Sequence, residues 1–260
     1  MKVIILTSRH QGTPVIHAKE LLNSNDIEIV SVIYNQGVIT NKFKFYKKKI
    51  KKILKIGIFG TMIGFVMRSW FGKKTISYLD STSIFELCSI NKIPIYNVPS
   101  ISSKETIKLF KEQKPDLAIS LGNGYISSTV FELPKFGMIN IHHEELPNYQ
   151  NASSVIWQLY NKSSFSGYTI HKINKFIDKG DILYQERIKL TFKNKLSETV
   201  AFNYAKLIEK SSIGLKILLE NYEEYKNNSI KQDKGNSYTT PSILEYFQIK
   251  KNHKSLKNHN

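Results

Sequence analysis

The sequence predicts an α/β protein: a doubly wound, mostly parallel sheet with flanking helices and a small C-terminal extension. Three observations carry that prediction. Short apolar runs rich in β-branched residues recur through roughly the first 145 residues, and stretches of helical periodicity stand between them. The third is bulk composition: 260 residues with 41% apolar and 23% charged types suffice for one large core and exclude disordered, collagenous and simple coiled-coil chains.

Val3 to Leu6 opens the series as a strand, and Val15 to Leu22 reads as the first crossover helix. Ile27 to Ile33, Ile93 to Val98, Asp116 to Leu121 and Met138 to Ile141 follow as strands. Ser81 to Ile90 and Ser103 to Lys111 are long enough for helices between them, each opening on a capping residue. Short buried strands joined by helices pair in parallel, and such sheets gather ligands at the C-terminal ends of their strands. Further on, Ala152, Val155, Ile156 and Leu159 keep the spacing of a short amphipathic helix, before strands at Gly167 to Ile173 and Ile182 to Leu190. Val200, Tyr204, Leu207, Ile208, Leu215 and Leu219 then mark one face of a long helix capped near Ser197. Beyond about Asn227 the chain turns polar, with ordered islands at Tyr238 to Pro241 and Ile243 to Ile249, and its last ten residues are expected to be loose. The expected division is a catalytic domain over 1–225 and a partly flexible extension over 226–260.

An insertion at about 41–75 breaks the α/β rhythm. Lys42 to Lys55 holds eight lysines and no acid, and Ile56 to Met67 is apolar. A dozen apolar residues fall short of the ~20 that cross a bilayer. Lys42 to Lys55 therefore reads either as a peripheral contact with anionic lipid or, more simply, as an extra helix on the domain or on the second subunit of a homodimer. Because this one stretch supplies eight of the formal +17 charges, the total is no continuous nucleic-acid footprint, and no nucleic-acid partner is expected. Cys88 is the single cysteine, which excludes an internal disulfide and a multi-thiolate zinc site and suits a reducing compartment. Met1 to Thr7 has no signal-peptide pattern, so the expected location is cytoplasmic, peripheral at the inner membrane face under the lipid reading.

The candidate chemistry lies in Gly137 to His142, where strand alternation turns Asn140 and His142 to the same side. Thirty-six residues after His142, Asp178 stands in a glycine-containing turn, Ile177-Asp-Lys-Gly-Asp181. A histidine that titrates near neutrality, a carboxylate that orients it and an amide donor suit acyl transfer to an amine. A metal-dependent amide hydrolase is the alternative, using His142, His143 and Glu144 with His171, Asp178 and Asp181. Against it, neighbouring histidines in a strand face apart, and the chain has no His-x-x-x-His pair.

Four quoted runs carry a family likeness: Leu133-Pro-Lys-Phe-Gly-Met-Ile-Asn-Ile-His142, Leu146-Pro-x-Tyr149, Gly167-Tyr-Thr-Ile-His171 and Ile177-Asp-Lys-Gly-Asp-Ile-Leu-Tyr-Gln185. Together with Lys114 to Tyr125 they resemble the 10-formyltetrahydrofolate-dependent formyltransferases, which include glycinamide ribonucleotide, methionyl-tRNA and sugar N-formyltransferases. The resemblance implies 10-formyltetrahydrofolate as formyl donor, no metal, and a tetrahedral intermediate whose oxyanion is held by Asn140 and His142, with Asp178 managing protons. It places the donor between Gly122, Gly124, Tyr125 and Ile126 on one side and Phe176 and Ile177 on the other, and the acceptor near His171, Glu145 and Tyr149. Four departures from the family pattern bear on the acceptor. His143-Glu144-Glu145 replaces the expected proline, small residue and leucine, and Gln150-Asn151 replaces an Arg-Gly pair. Ser8 to Gly12 lacks the glycine-rich phosphate cradle of the glycinamide ribonucleotide enzymes, and the residues after Asn227 are too few for the barrel of the tRNA enzymes. The expected acceptor is the primary amine of a nucleotide-linked amino sugar serving surface polysaccharide or lipopolysaccharide synthesis, with transfer to, or formyl hydrolysis of, another small molecule as the alternative.

Overall fold

A computed structural model describes residues 1–38 and 42–259. The start of the insertion at residue 41, the side chains of Lys44, Lys48, Lys52 and Lys55, and residue 260 lie outside the described residues. The elements run β1 (Lys2–Thr7), α1 (Thr13–Leu22), β2 (Glu28–Asn35), α2 (Lys42–Ser69) with a π-helical turn at Trp70–Lys74, α3 (Ile84–Ile90), β3 (Ile95–Val98), α4 (Lys104–Gln113), β4 (Leu117–Leu121) and α5 (Ser128–Phe131). They continue with β5 (Met138–His142), α6 (Ile156–Tyr160), β6 (Phe165–Lys172), β7 (Ile182–Lys189), α7 (Leu196–Glu220), α8 (Tyr222–Asn227) and α9 (Ile243–His259).

One seven-stranded sheet has the order β3-β2-β1-β4-β5-β6-β7. β1 to β5 pair in parallel, and β6 and β7 add an antiparallel edge. Alternation along β1 explains how both faces are covered. Val3 and Ile5 join a core with α1, α3 and α7, whereas Ile4 and Leu6 join a second core with Phe110 of α4 and Val130 of α5. The strand order reverses between β1 and β4, so a crevice opens at their C-terminal ends.

Helix starts follow local chemistry in most places. The Ser83 hydroxyl accepts the Glu86 N–H at 3.1 Å and Ser103 that of Thr106 at 3.4 Å. Ser197 is no cap: α7 begins at Leu196 behind Lys195, and the Ser197 hydroxyl instead accepts a bond from Lys74. The insertion is α2, broken at Gly57, whose φ of 74° is a left-handed value that glycine adopts without strain. Its second half packs against the C-terminal segment, with Gly64 close to Thr240 and Gly60 close to Pro241. Among the described residues no helix is long and apolar enough to cross a membrane.

The extension departs from the expected loose tail. α9 continues to His259 and buries Ile249, Asn252 and His253. The two buried polar residues are satisfied: the Asn252 amide donates to the Leu159 and Tyr160 carbonyls, and the His253 Nε2 lies 2.8 Å from the Thr199 hydroxyl.

Candidate active site

Asn140 and His142 do leave β5 on the same side and line a cavity of about 1060 Å³. Asp178 arrives from the turn between β6 and β7 with φ 53°, a left-handed value. The turn can be this tight because Gly180 carries no side chain: a Cβ there would stand 1.7 Å from the Lys172 carbonyl oxygen. One Asp178 oxygen accepts the Asn151 backbone N–H at 2.9 Å. Its carboxylate then lies 3.9 Å from both His142 Nδ1 and His171 Nε2.

The protons of the two histidines follow from their partners. His142 Nε2 is 2.9 Å from the Tyr149 carbonyl, which only accepts, so Nε2 carries hydrogen and Nδ1 is left to exchange a proton opposite Asp178. His171 Nδ1 likewise donates to the Lys172 carbonyl at 2.9 Å, which leaves Nε2 to accept from the Asn140 amide at 3.3 Å. Burial, aided by nearby His142, lowers the His171 pKa to about 4, so its ring is neutral at pH 7 and keeps the amide NH₂ of Asn140 pointed the same way.

Gly122, Gly124, Tyr125 and Ile126 line the cavity after β4, and Phe176 and Ile177 line it from the Asp178 turn. At Gly122, with φ 73°, an added Cβ would come within 2.9 Å of Arg9 Nε, so the absence of a side chain lets the Arg9 guanidinium lie over the loop. At Gly124 an added Cβ would meet nothing within 4 Å, which leaves bare backbone facing open space. Backbone donors and acceptors beside exposed Tyr125 and Phe176 fit a flat, polar-edged heterocycle such as a pterin.

The three residues expected on the acceptor side sit differently around the cavity. Glu145 does not line the cavity: it packs on Gly167 and pairs with Arg187 at 3.4 Å, and burial raises its pKa. The Tyr149 ring is also outside, stacked on Tyr238 with centroids 5.5 Å apart, and Tyr149 reaches the site only through its carbonyl. His171 borders the cavity but is 3% exposed, with its ring nitrogens on the Lys172 carbonyl and the Asn140 amide. His143 turns away from His142 toward Ser211, 3.2 Å off, and among the described residues no group of three His, Cys, Asp or Glu side chains is arranged to hold a metal ion.

Residues that the motif reading missed come from the insertion and the extension. Lys49, Ile53, Ile56, Phe65 and Arg68 of α2 and Thr240 wall the cavity. The extension also clamps the loop that holds His142. Gln150 N–H donates to the Asn236 carbonyl and Tyr238 N–H to the Gln150 carbonyl, each at 2.9 Å, and the Trp157 indole donates to Thr239.

A doubly wound sheet that brings an amide, an imidazole and a carboxylate together in one cavity is an arrangement suited to acyl-group transfer. The chain belongs to the formyl transferase family, whose pattern matches residues 1–211. It is 31% identical over 179 residues to a methionyl-tRNA formyltransferase of Kosmotoga olearia, which covers 67% of this chain and 54% of that protein. The chain spans about half the length of the curated relatives it matches. Among solved structures, phosphoribosylglycinamide formyltransferase from Bacillus halodurans shares the fold with a TM-score of 0.56 at 16% identity, over 86% of this chain and 98% of that one. The N-formyltransferase from Helicobacter canadensis, solved with folinic acid and dTDP-3-aminofucose, has a TM-score of 0.54 at 19% identity, over 98% of this chain and 80% of that one.

Proposed function

We propose that this chain transfers a formyl group from 10-formyltetrahydrofolate to the primary amine of a nucleotide-linked amino sugar, at the site formed by Asn140, His142 and Asp178. The observation that carries the reading is the convergence of these three groups in one cavity, beside a glycine-backed slot that fits a pterin. The donor supplies an activated formyl carbon. Asn140, held by His171, has one amide N–H left to donate to the formyl oxygen as it gains charge, and protonated His142 adds a second donor through Nδ1. Asp178, 3.9 Å from Nδ1, takes up the proton that the attacking amine sheds as the new C–N bond forms. Collapse of the tetrahedral intermediate breaks the bond to N10 of the donor, which leaves as tetrahydrofolate with a proton handed on from His142.

An anionic sugar nucleotide is supported by the cavity's cations, Arg9 beside Gly122 and Lys49 and Arg68 on α2. Further support comes from the sugar-binding neighbour of Helicobacter canadensis, whose match takes in the extension as well as the sheet. The test is incubation of the purified protein with 10-formyltetrahydrofolate and a panel of nucleotide-linked amino sugars, read by mass spectrometry. A gain of one formyl group on a sugar nucleotide is expected. Formylation of glycinamide ribonucleotide or methionyl-tRNA instead would replace the proposed acceptor.

A further inference from the structure

From Ile29 to Leu79 the chain has no acidic residue and eleven lysines and arginines, so this fifth of the sequence carries +11 of the formal +17. Most of it is α2, and much of α2 is uncovered. In the first half Phe43, Tyr46, Ile50 and Leu54 recur at three- and four-residue spacing and are 56–79% exposed, with Lys47 and Lys51 exposed beside them. Beyond Gly57, Ile58, Phe59 and Met62 are 60–72% exposed. α9, which packs on this half through Ile243 and Tyr246, adds exposed Leu244 and Phe247. So many large apolar side chains on one helix and its neighbour exceed what a water-facing surface carries.

We propose that α2 is a docking element that lies in the headgroup region of an anionic lipid bilayer. The combination of unopposed positive charge with adjacent apolar side chains is what an anionic interface complements. A second copy of the chain would bring the same +11 against itself, and a nucleic acid would pair the lysines but leave Phe43, Leu54, Ile58 and Met62 in water. No described helix can span the bilayer, so the contact is interfacial. The geometry links docking to the site. Lys49, Ile53 and Ile56, one helical face, together with Phe65 and Arg68, form a wall of the catalytic cavity, so a docked α2 sets the cavity beside the lipid surface. This inference stands whichever amine is formylated.

Flotation of the purified full chain with phosphatidylcholine vesicles, with and without phosphatidylglycerol, tests it. Binding is expected only to the anionic vesicles, and it should weaken steeply as salt shortens the Debye length. Replacing Lys47 and Lys51 with Gln should weaken it about 30-fold, at roughly 1 kcal/mol for each lysine near the surface. Ile58→Glu combined with Met62→Glu should abolish it, with circular dichroism and sedimentation mass unchanged. The proposal is overturned if the wild type does not float with anionic vesicles at low salt, or if neither variant changes binding. It is also overturned if the wild type sediments as a dimer that Ile58→Glu dissociates.

Discussion

At the scale of single residues, the proposed function has three side chains carry the chemistry and a fourth fix one of them. Removing a donor to the developing oxyanion costs about 10² to 10³ in rate, and removing a general acid or base roughly 10² to 10⁴. His142→Ala should therefore lower kcat by about 10² or more while donor affinity is kept. His171 acts through Asn140, so His171→Leu is expected to lower kcat with little change in the KM of either substrate, because the amide loses the acceptor 3.3 Å away that orients it. If KM for the acceptor rose while kcat held, His171 would be a binding group after all. That Asn140 and His142 share one cavity wall was legible from strand alternation, and the family motif pointed to Asp178 beside them. Glu145 and Tyr149 lie off the cavity, since sequence proximity to His142 does not say which way a loop turns. Here a pairing with the exposed Arg187 and a stack on Tyr238 draw both side chains away.

Elements decide whether those residues meet. The Asp178 turn depends on Gly180, where a Cβ would overlap the Lys172 carbonyl, so Gly180→Ala must displace either the turn or the end of β6. The expected outcome is a lowered melting temperature by scanning calorimetry together with loss of turnover; unchanged turnover would show that Asp178 needs no such constraint. The clamp from the extension is the second such device. Tyr238 lies between Tyr149 and Trp157, with centroids 5.5 and 4.7 Å away, and steadies the loop whose carbonyl orders His142. Tyr238→Ala should reduce kcat/KM more than it reduces thermal stability. β1 to β5 and the capped helices were readable from apolar runs and Ser83 or Ser103, because local rules govern them. The end of α9 was not, since a Lys/Asn-rich helix looks solvated until Asn252 and His253 find partners on α6 and α7.

Across the whole molecule, buried neutral histidines tie the sheet to its helices. His17 lies on α1 with Nδ1 on the Thr13 carbonyl and Nε2 3.0 Å from the Ser211 hydroxyl of α7, which also meets His143 after β5. Burial lowers the His17 pKa to about 4, holds that of His143 well below its usual value, and lowers that of His171 to about 4. Each unfolded histidine takes up a proton near pH 6.5 that the fold refuses. The stability they contribute is thus complete above pH 6.5 and is lost as pH falls toward 4, by up to about 1.4 kcal/mol per pH unit for each ring. Glu144 works in the opposite direction, because burial raises its carboxyl well above the usual range. Denaturant titrations of wild type and His17→Gln isolate the term. The variant should show a shallower loss of stability between pH 6.5 and 4, and an equal slope would mean that His17 is not neutral in the fold.

The central claim is that Asn140, His142 and Asp178 form a formyl-transfer site in which Asp178 acts on the reaction rather than on binding. Single-turnover decay of 10-formyltetrahydrofolate, followed by its absorbance in the presence of the formylated acceptor's parent amine, tests that claim most directly in wild type and Asp178→Asn. The rate should fall by about 10² or more in the variant, with the donor Kd from calorimetry unchanged. A variant rate within a few-fold of wild type, at the same donor affinity, would contradict the assignment.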